Sequence, residues 1–553
     1  MNKTMLTNQK INVKRIAGYV ICLNLLLTFT FCKKEPEVKV VEPKVEEQFT
    51  FPRSLPEEQG VSSQSIVKLI NEIGKSEIQF HSIMILRNGH VIAEGWWDPY
   101  KPEYKHQLYS LSKSFTSTAV GLAVKEGLFT INDKVVSFFP DDVPDEVAPE
   151  LNALTVKHLL TMSTGHSKAA MDKVFRDKST SWVKSFLKAP IENEPGTTFE
   201  YNTAATFMLS AIIQKVSGEK LIDFLKPRLF EPLNITDADW KENPEGINTG
   251  GFGLRVKTED IAKLGQLYLQ KGKWEGEEIL TEQWVADATS KQIQSNPSSE
   301  EYDETNDWAQ GYGYQFWRNY PGGFRADGAY GQFSIVIPDK DLVVAITGES
   351  FDMGKNMKLI WDNLLPGIED EPLPKDIIGE VEFEQALKNL AIAPPVLMDT
   401  SSVMSKIANK QFTLEEDNEL GVDTMFFIFS EEGICKLIVN EGKETTEINC
   451  GFNTWVVGDN EKKVANSLFP VPDRIDFPSK IAANAVWEDD TTLQLTWRFL
   501  ENVHGDQLIC KFEGEDYEKV TITFNNSVAE GRQEKDPRKP LVGTVGVKIN
   551  RSK

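Results

Sequence analysis

The sequence predicts an α+β protein: an antiparallel sheet closed by both ends of a larger first module, with a helical insertion between them, then a small all-β domain. Three observations carry this. Apolar runs flank Asn88-Gly89 early in the chain, a strong hairpin signal. Helix-period segments fill the middle. Strand-like runs return late, turned by Pro338-Asp339-Lys340, and short β-rich runs follow a proline-marked break.

In chain order, residues 1–31 carry Lys3, Lys10, Lys14 and Arg15 with no acid, then the apolar run Ile16–Phe31. A basic start and a short apolar core read as an export signal, the run being short and interrupted by Asn24 for a membrane span. An uncleaved N-terminal anchor is the alternative. Cys32 follows at once and resembles the lipidated cysteine of bacterial lipoproteins, which implies an exported, membrane-anchored protein on the periplasmic side or cell surface. Residues 32–50 mix Lys, Glu, Val and Pro without a core pattern and read as a disordered tether.

The chain has 553 residues, 40% of them hydrophobic, enough for more than one core. Its net charge is −23, and removal of the signal's four basic residues leaves it more acidic still. A basic patch with interleaved aromatics is missing from the sequence, which speaks against a nucleic-acid partner.

Residues 51–370 alternate helices and strands. Ser62–Ile73 reads as an amphipathic helix, and Ile83–Leu86 with Val91–Trp97 as the hairpin. Val156–Met162 and Ala204–Val216 read as helices closed near Gly165 and Gly218. Gly311–Trp317 and Phe324 onward lead into strands Gln332–Ile337 and Leu342–Thr347.

Gln107 to Gly127 is the stretch of greatest chemical interest. Leu111, Phe115 and Leu122 give it an apolar helical face, with Gly127 as the stop. Ser110 falls at the N-terminal end and Lys113 one turn on. Residues three apart share a face, so hydroxyl and amine can meet. The positive end of the helix dipole would favour an oxyanion there, and an apolar wall would lower the lysine's pKa. The motif alone is weak, since Ser-x-x-Lys recurs at Ser65/Lys68, Ser181/Lys184, Ser185/Lys188 and Ser217/Lys220.

A second constellation is Pro195-Gly196-Thr197-Thr198-Phe199-Glu200-Tyr201-Asn202-Thr203. Together with Ser110 and Lys113 it resembles the serine beta-lactamase-related superfamily: class C beta-lactamases, D-alanyl-D-alanine carboxypeptidases and their esterase relatives. Those proteins carry Ser-x-x-Lys, then Tyr-x-Asn, then Lys-Thr-Gly on an edge strand. Tyr201 matches the tyrosine, Thr203 stands in place of the asparagine, and Ala326-Asp327-Gly328-Ala329 in place of Lys-Thr-Gly-Ala. His158 to Gly165 and Gly251-Phe252-Gly253-Leu254 also fit, and the likeness covers roughly residues 55–365.

The resemblance implies the beta-lactamase/transpeptidase-like fold and an acyl-enzyme on Ser110, with Lys113 and Tyr201 sharing the base role and the backbone N–H groups of Ser110 and Ala329 forming the oxyanion hole. Thr203, Ala326, Asp327 and Gly328 would line the substrate site, with neither metal nor organic cofactor required. Ala326 cannot hold a substrate carboxylate as the family's lysine does, and Asp327 is expected to repel one. A small-molecule or peptide-like ester or amide is therefore expected, with a beta-lactamase or D-alanyl-peptide carboxypeptidase as the alternative. A non-catalytic, ligand-binding surface lipoprotein is the alternative of another class.

Residues 371–395 read as a connector with a helix near Val381–Leu390, and residues 396–553 as a β-rich accessory domain. Met425–Phe429, Ile434–Val439, Thr492–Trp497 and Lys519–Phe524 are its clearest strands. Cys435 and Cys450 fall on adjacent strands, open to a disulfide or to buried thiols. His504 reads as a solvated turn residue without chemistry. His106 is the histidine nearest to Ser110, but no histidine has the context of a triad base. Gly-x-Ser-x-Gly, His-Glu-x-x-His, phosphate-loop and dinucleotide motifs are missing from the sequence.

Overall fold

A computed structural model describes residues 49–168, 173–175, 181–295, 305–460 and 479–546. The expected signal, Cys32 and nearly all of the tether lie outside them. Among the described residues no helix is long and apolar enough to cross a membrane.

Among the described residues, a six-stranded antiparallel sheet forms the centre of the first module. Its strands are β1 (Gln79–Arg87), β2 (His90–Trp96), β3 (Trp317–Arg318), β4 (Phe324–Gly328), β5 (Gln332–Ile337) and β6 (Leu342–Glu349). The order β2-β1-β6-β5-β4-β3 sets the first strands beside the last, with Ile83 opposite Ile346. The chain ends of this module thus close one sheet, and the residues between them form the helical layer.

The inner strands are buried at nearly every position because both faces are covered. Met84, Leu86, Val336, Val343 and Ala345 face the core shared with the helical insertion. Their alternating neighbours Ile83, Ile85, Ile335, Val344 and Ile346 face the opposite core, with α1 (Ser63–Lys75).

Helix α2 (Ser112–Lys125) is buried along most of its length, beside α3 (Thr203–Ser217). Helix α4 (Thr258–Leu269) lies close on the sheet: a Cβ at Gly265 would sit 2.6 Å from Val343 Cγ1. Helices α5 (Met353–Asn363) and α6 (Ile377–Lys388) join α1 on the far face. Leu390, just beyond α6, fills the space a side chain at Gly95 would need, its Cδ1 2.3 Å from that Cβ position.

An all-β barrel follows: β7 (Phe412–Leu414), β8 (Thr424–Phe429), β9 (Ile434–Glu441), β10 (Glu444–Phe452), β11 (Val456–Asn460), β12 (Ser479–Asp489), β13 (Thr492–Phe499), β14 (Gly505–Glu513), β15 (Lys519–Phe524) and β16 (Leu541–Val545). Its order is β10-β9-β8-β7-β16-β15-β14-β13-β12-β11. A parallel pairing of β10 with β12, Gly451 opposite Asn484, closes it. Phe412, Phe427, Trp487, Trp497 and Phe512 fill the interior.

Cys435 and Cys450 are direct register partners across β9 and β10, and both are free, buried thiols, as is Cys510. Burial pushes all three up, Cys510 to about 12, which makes them poor nucleophiles.

Candidate active site

The Ser110 turn is shaped by what precedes it. Short strand His106–Gln107 pairs with Leu254–Val256, and Leu108 N–H donates to Leu254 O at 3.0 Å. The chain then tightens into a 3₁₀ turn over Tyr109–Leu111 before α2 begins. Ser110 therefore lies one turn ahead of the α-helix proper, not inside it, with the positive helix end beneath. Tyr109 takes φ 48°, a left-handed conformation that a non-glycine residue adopts only when its surroundings hold it there.

Lys113 is 1% exposed, and its Nζ donates to Ser110 Oγ at 3.0 Å and to the Gly251 carbonyl at 2.7 Å. Gly251 is a close approach: a Cβ there would meet Thr203 Cγ2 at 2.7 Å and Lys113 Nζ at 3.5 Å. The lysine's second partner is thus a carbonyl that only a glycine can present at that distance. Ammonium and free amine can both donate to it.

Tyr201 reaches the same hydroxyl. Burial pushes its phenol well above the ordinary value, and its hydrogen bond to Ser110 offsets only part of that. Lys113 Nζ lies 5.0 Å from the Tyr201 ring centroid. Trp317 stacks on Tyr201 at 5.7 Å with 20° between planes, and Tyr312 meets it edge-on at 6.4 Å. The wall beside the serine is aromatic.

Asn202 and the segment His158–Gly165 place Tyr201. Asn202 Oδ1 caps α3 by accepting from Ala205 N–H at 3.1 Å, while its Nδ2 donates to Thr164 Oγ1 at 3.1 Å. Glu200 N–H donates to Met162 O at 2.9 Å, and Gly196 N–H to Ser163 O at 2.7 Å. This phrase of the sequence is a cradle for the tyrosine loop. Thr203 is the first residue of α3, packed against Gly251.

Strand β4 brings up the opposite wall. A Cβ at Gly328 would stand 2.1 Å from Leu108 O and 3.1 Å from Leu111 N, so only glycine lets the strand lie against the Ser110 turn. Ala329 follows in the turn to β5, its carbonyl accepting from Gln332 Nε2 at 3.1 Å. Ala326 is 1% exposed in the core shared with α2.

Asp327 differs from expectation. It is not a bare charge awaiting a substrate anion: Arg325 Nε donates to Asp327 Oδ2 at 2.9 Å and Trp308 Nε1 to the same oxygen at 3.1 Å. Residues two apart on a strand share a face, which brings the pair together. Burial still raises the carboxyl's pKa, with Arg325 opposing.

Two further residues escaped sequence reasoning. Gln315, at φ 64°, joins three elements: its Nε2 donates to Leu160 O at 2.8 Å, its Oε1 accepts from Thr206 at 2.6 Å, and its carbonyl accepts from Ser114 at 2.7 Å. A lone glutamine beside aromatic residues carries no sequence signal. His504 is 1% exposed, not a solvated turn residue, because the barrel is packed against the Ser110 side and the turn is covered. His106 is also buried; it engages His81 at 2.8 Å, and burial pushes it down to about 4. Among the described residues no cluster of three or more His, Cys, Asp or Glu could hold a metal ion.

Known proteins resemble this chain over the module that holds Ser110. The family model described as Beta-lactamase matches residues 69–365. The 6-aminohexanoate-dimer hydrolase of Paenarthrobacter ureafaciens is 25% identical over 281 residues, covering 48% of this chain and 71% of that protein. Protein Flp of Staphylococcus aureus (strain N315) is 25% identical over 217 residues, 36% of this chain, which spans only 43% of Flp. Among solved structures, the octameric penicillin-binding protein homologue from Pyrococcus abyssi aligns over 86% of this chain and 99% of its own, at 17% identity and TM-score 0.44.

Proposed function

The chain belongs to the beta-lactamase family of serine hydrolases, and from that premise we propose that it cleaves ester or amide bonds of neutral substrates through an acyl-enzyme on Ser110. The observation that carries this reading is the convergence of the Lys113 amine and the Tyr201 hydroxyl on one serine oxygen.

In this reading Lys113 rests as the free amine; Ser110 Oγ attacks the carbonyl carbon and its proton passes to the Lys113 Nζ lone pair. Tyr201, held protonated by burial, is the poorer resting base and the better relay. The backbone N–H groups of Ser110 and Ala329 hold the oxyanion. As the tetrahedral intermediate collapses, the leaving group takes the Tyr201 proton, and Lys113 returns the serine proton to Tyr201. Water then repeats the sequence on the acyl carbon, and Ser110 regains its proton.

Substrate charge follows from β4. Where the family's lysine would stand, Ala326 offers a methyl group, and the charge of Arg325 is engaged by Asp327. A substrate carboxylate would find an ion pair and aromatic rings there. Small or peptide-like esters and amides are the better fit, and the relative named as a 6-aminohexanoate-dimer hydrolase is consistent with a hydrolytic role. The export signal and Cys32 add a lipid-tethered location to the proposal. Loss of membrane partition in Cys32→Ala tests that part.

The central test is covalent labelling of the full chain with a serine-directed fluorophosphonate, the adduct mapped by mass spectrometry. The expected result is one adduct on Ser110 and no p-nitrophenyl ester turnover in Ser110→Ala. Continued turnover with Ser110 unlabelled would sink the assignment.

A further inference from the structure

Tyr109 and Tyr330 bracket the proposed oxyanion donors, one preceding Ser110 and the other following Ala329. Both are in the left-handed region, at φ 48° and 64°. Such a backbone is strained for a residue with a side chain and persists only where neighbours over-determine it. The two rings meet edge-on at 5.3 Å, and a third ring locks them: His504, 5.9 Å from Tyr109 and 4.6 Å from Tyr330.

His504 comes from the barrel, on the turn between β13 and β14. Its Nε2 lies 2.7 Å from the Tyr109 hydroxyl and its Nδ1 2.7 Å from Glu349 Oε1. In the neutral ring with Nδ1–H donated to the carboxylate, Nε2 accepts the hydrogen bond of the Tyr109 hydroxyl. Glu349 ends β6, one of the two middle strands of the six-stranded sheet. It is held in turn by Ser527 Oγ at 2.5 Å, and Arg498 Nη1 lies 3.8 Å away. Ser527 and Arg498 also belong to the C-terminal part. One buried chain therefore runs from the barrel to the residue beside the proposed nucleophile.

We propose that His504 is a positioning residue for the active site: by clamping Tyr109 and Tyr330 it holds the Ser110 and Ala329 backbone N–H groups on one point, which makes the barrel part of the catalytic unit. The inference rests on the hydrolase reading above. A displacement of about 1 Å at a reacting centre can cost about a hundredfold in rate, and a lost oxyanion donor about 10²–10³. A donor merely loosened should cost less.

The experiment uses the full-length chain with His504→Ala, His504→Gln, Tyr109→Phe and the double variant His504→Ala/Tyr109→Phe. It reads kcat and KM on a p-nitrophenyl ester, the rate of fluorophosphonate labelling, and Tm. His504→Ala should lower kcat and the labelling rate together by about ten- to a hundredfold, with KM little changed. His504→Gln, whose amide can both donate and accept, should recover part of the loss. Tyr109→Phe keeps the ring and loses only the hydroxyl; it should lower kcat by at least severalfold, and the double variant should fall no further than His504→Ala.

Unchanged kcat in Tyr109→Phe, or a His504→Ala that loses Tm but keeps kcat, overturns the proposal. Should His504→Ala fail to fold, Tyr109→Phe decides alone. Failure of the hydrolase reading looks different: the unmodified protein would then not be labelled at Ser110.

Discussion

Gly328→Ala is the sharpest single test of how the site is built. The added methyl would stand 2.1 Å from Leu108 O, about 1.3 Å short of an ordinary 3.4 Å contact. The obstacle is backbone, so no side-chain rotation relieves it, and Leu111 N at 3.1 Å blocks a sideways shift. Strand β4 and the Ser110 turn must then part by about an ångström, and Ala329 moves with the strand. Overpacking of this kind costs about 1–3 kcal/mol in stability. The catalytic cost is larger in proportion: an ångström of misplacement gives about a hundredfold, or about 2.7 kcal/mol in the barrier. The assay is kcat/KM on a neutral p-nitrophenyl ester, with Tm measured on the same preparation. Near-normal turnover in Gly328→Ala at a lowered Tm would refute the reasoning, because the strand would then have moved without disturbing a pocket it is supposed to form.

Other outcomes follow from the same geometry. Lys113→Met keeps the apolar stem but removes the amine, so ester turnover and fluorophosphonate labelling should both fall about 10²–10⁴-fold; a loss under threefold would assign the base elsewhere. The unmodified protein should prefer neutral esters to nitrocefin, and Ala326→Lys should raise the nitrocefin-to-ester ratio about ten- to a hundredfold if a carboxylate is recovered, although its burial makes some loss of Tm expected. Asp327→Asn leaves Arg325 buried beside a neutral partner and should destabilise by several kcal/mol, the range for breaking a buried pair being about 3–5; unfolding in urea measures this, and an unchanged midpoint would contradict the pairing. His166 is 1% exposed, and burial pushes it down to about 4. Its folded pKa lies below the unfolded value, so its contribution is present above about pH 6.5 and lost as pH falls toward 4, up to about 3 kcal/mol. His166→Gln should lack that part of the acid destabilisation, and identical pH–stability profiles for the two proteins would rule the effect out.

The parts readable from the sequence share one property: their causes are local or repeat along the chain. The Asn88-Gly89 turn sets the first hairpin because its two residues accept the required backbone, and φ is 53° at Asn88. Ser110 and Lys113 come within 3.0 Å because three residues of helical chain bring them there, whichever neighbours surround them. The runs of β5 and β6 are mostly apolar and set off by the Pro338-Asp339-Lys340 turn, which marks them as strands; that both of their faces are buried came only from the fold. Tyr201 was found by its place in an ordered set of motifs, since a lone tyrosine before a helix carries no such signal.

Tertiary structure decided whatever depends on partners distant in sequence. Asp327 looked like a repelling charge because its own segment does not display the combined effect of Arg325 and Trp308, the latter 19 residues away. Gln315 acquires its role from backbone groups more than 150 residues upstream. His504 meets Tyr109 across 395 residues and Glu349 across 155, separations at which propensity and periodicity hold no information. Local chemistry specifies which groups can react. Burial, strain and hydrogen-bond partners are set only when the barrel and the sheet pack together, because those quantities belong to neighbours in space.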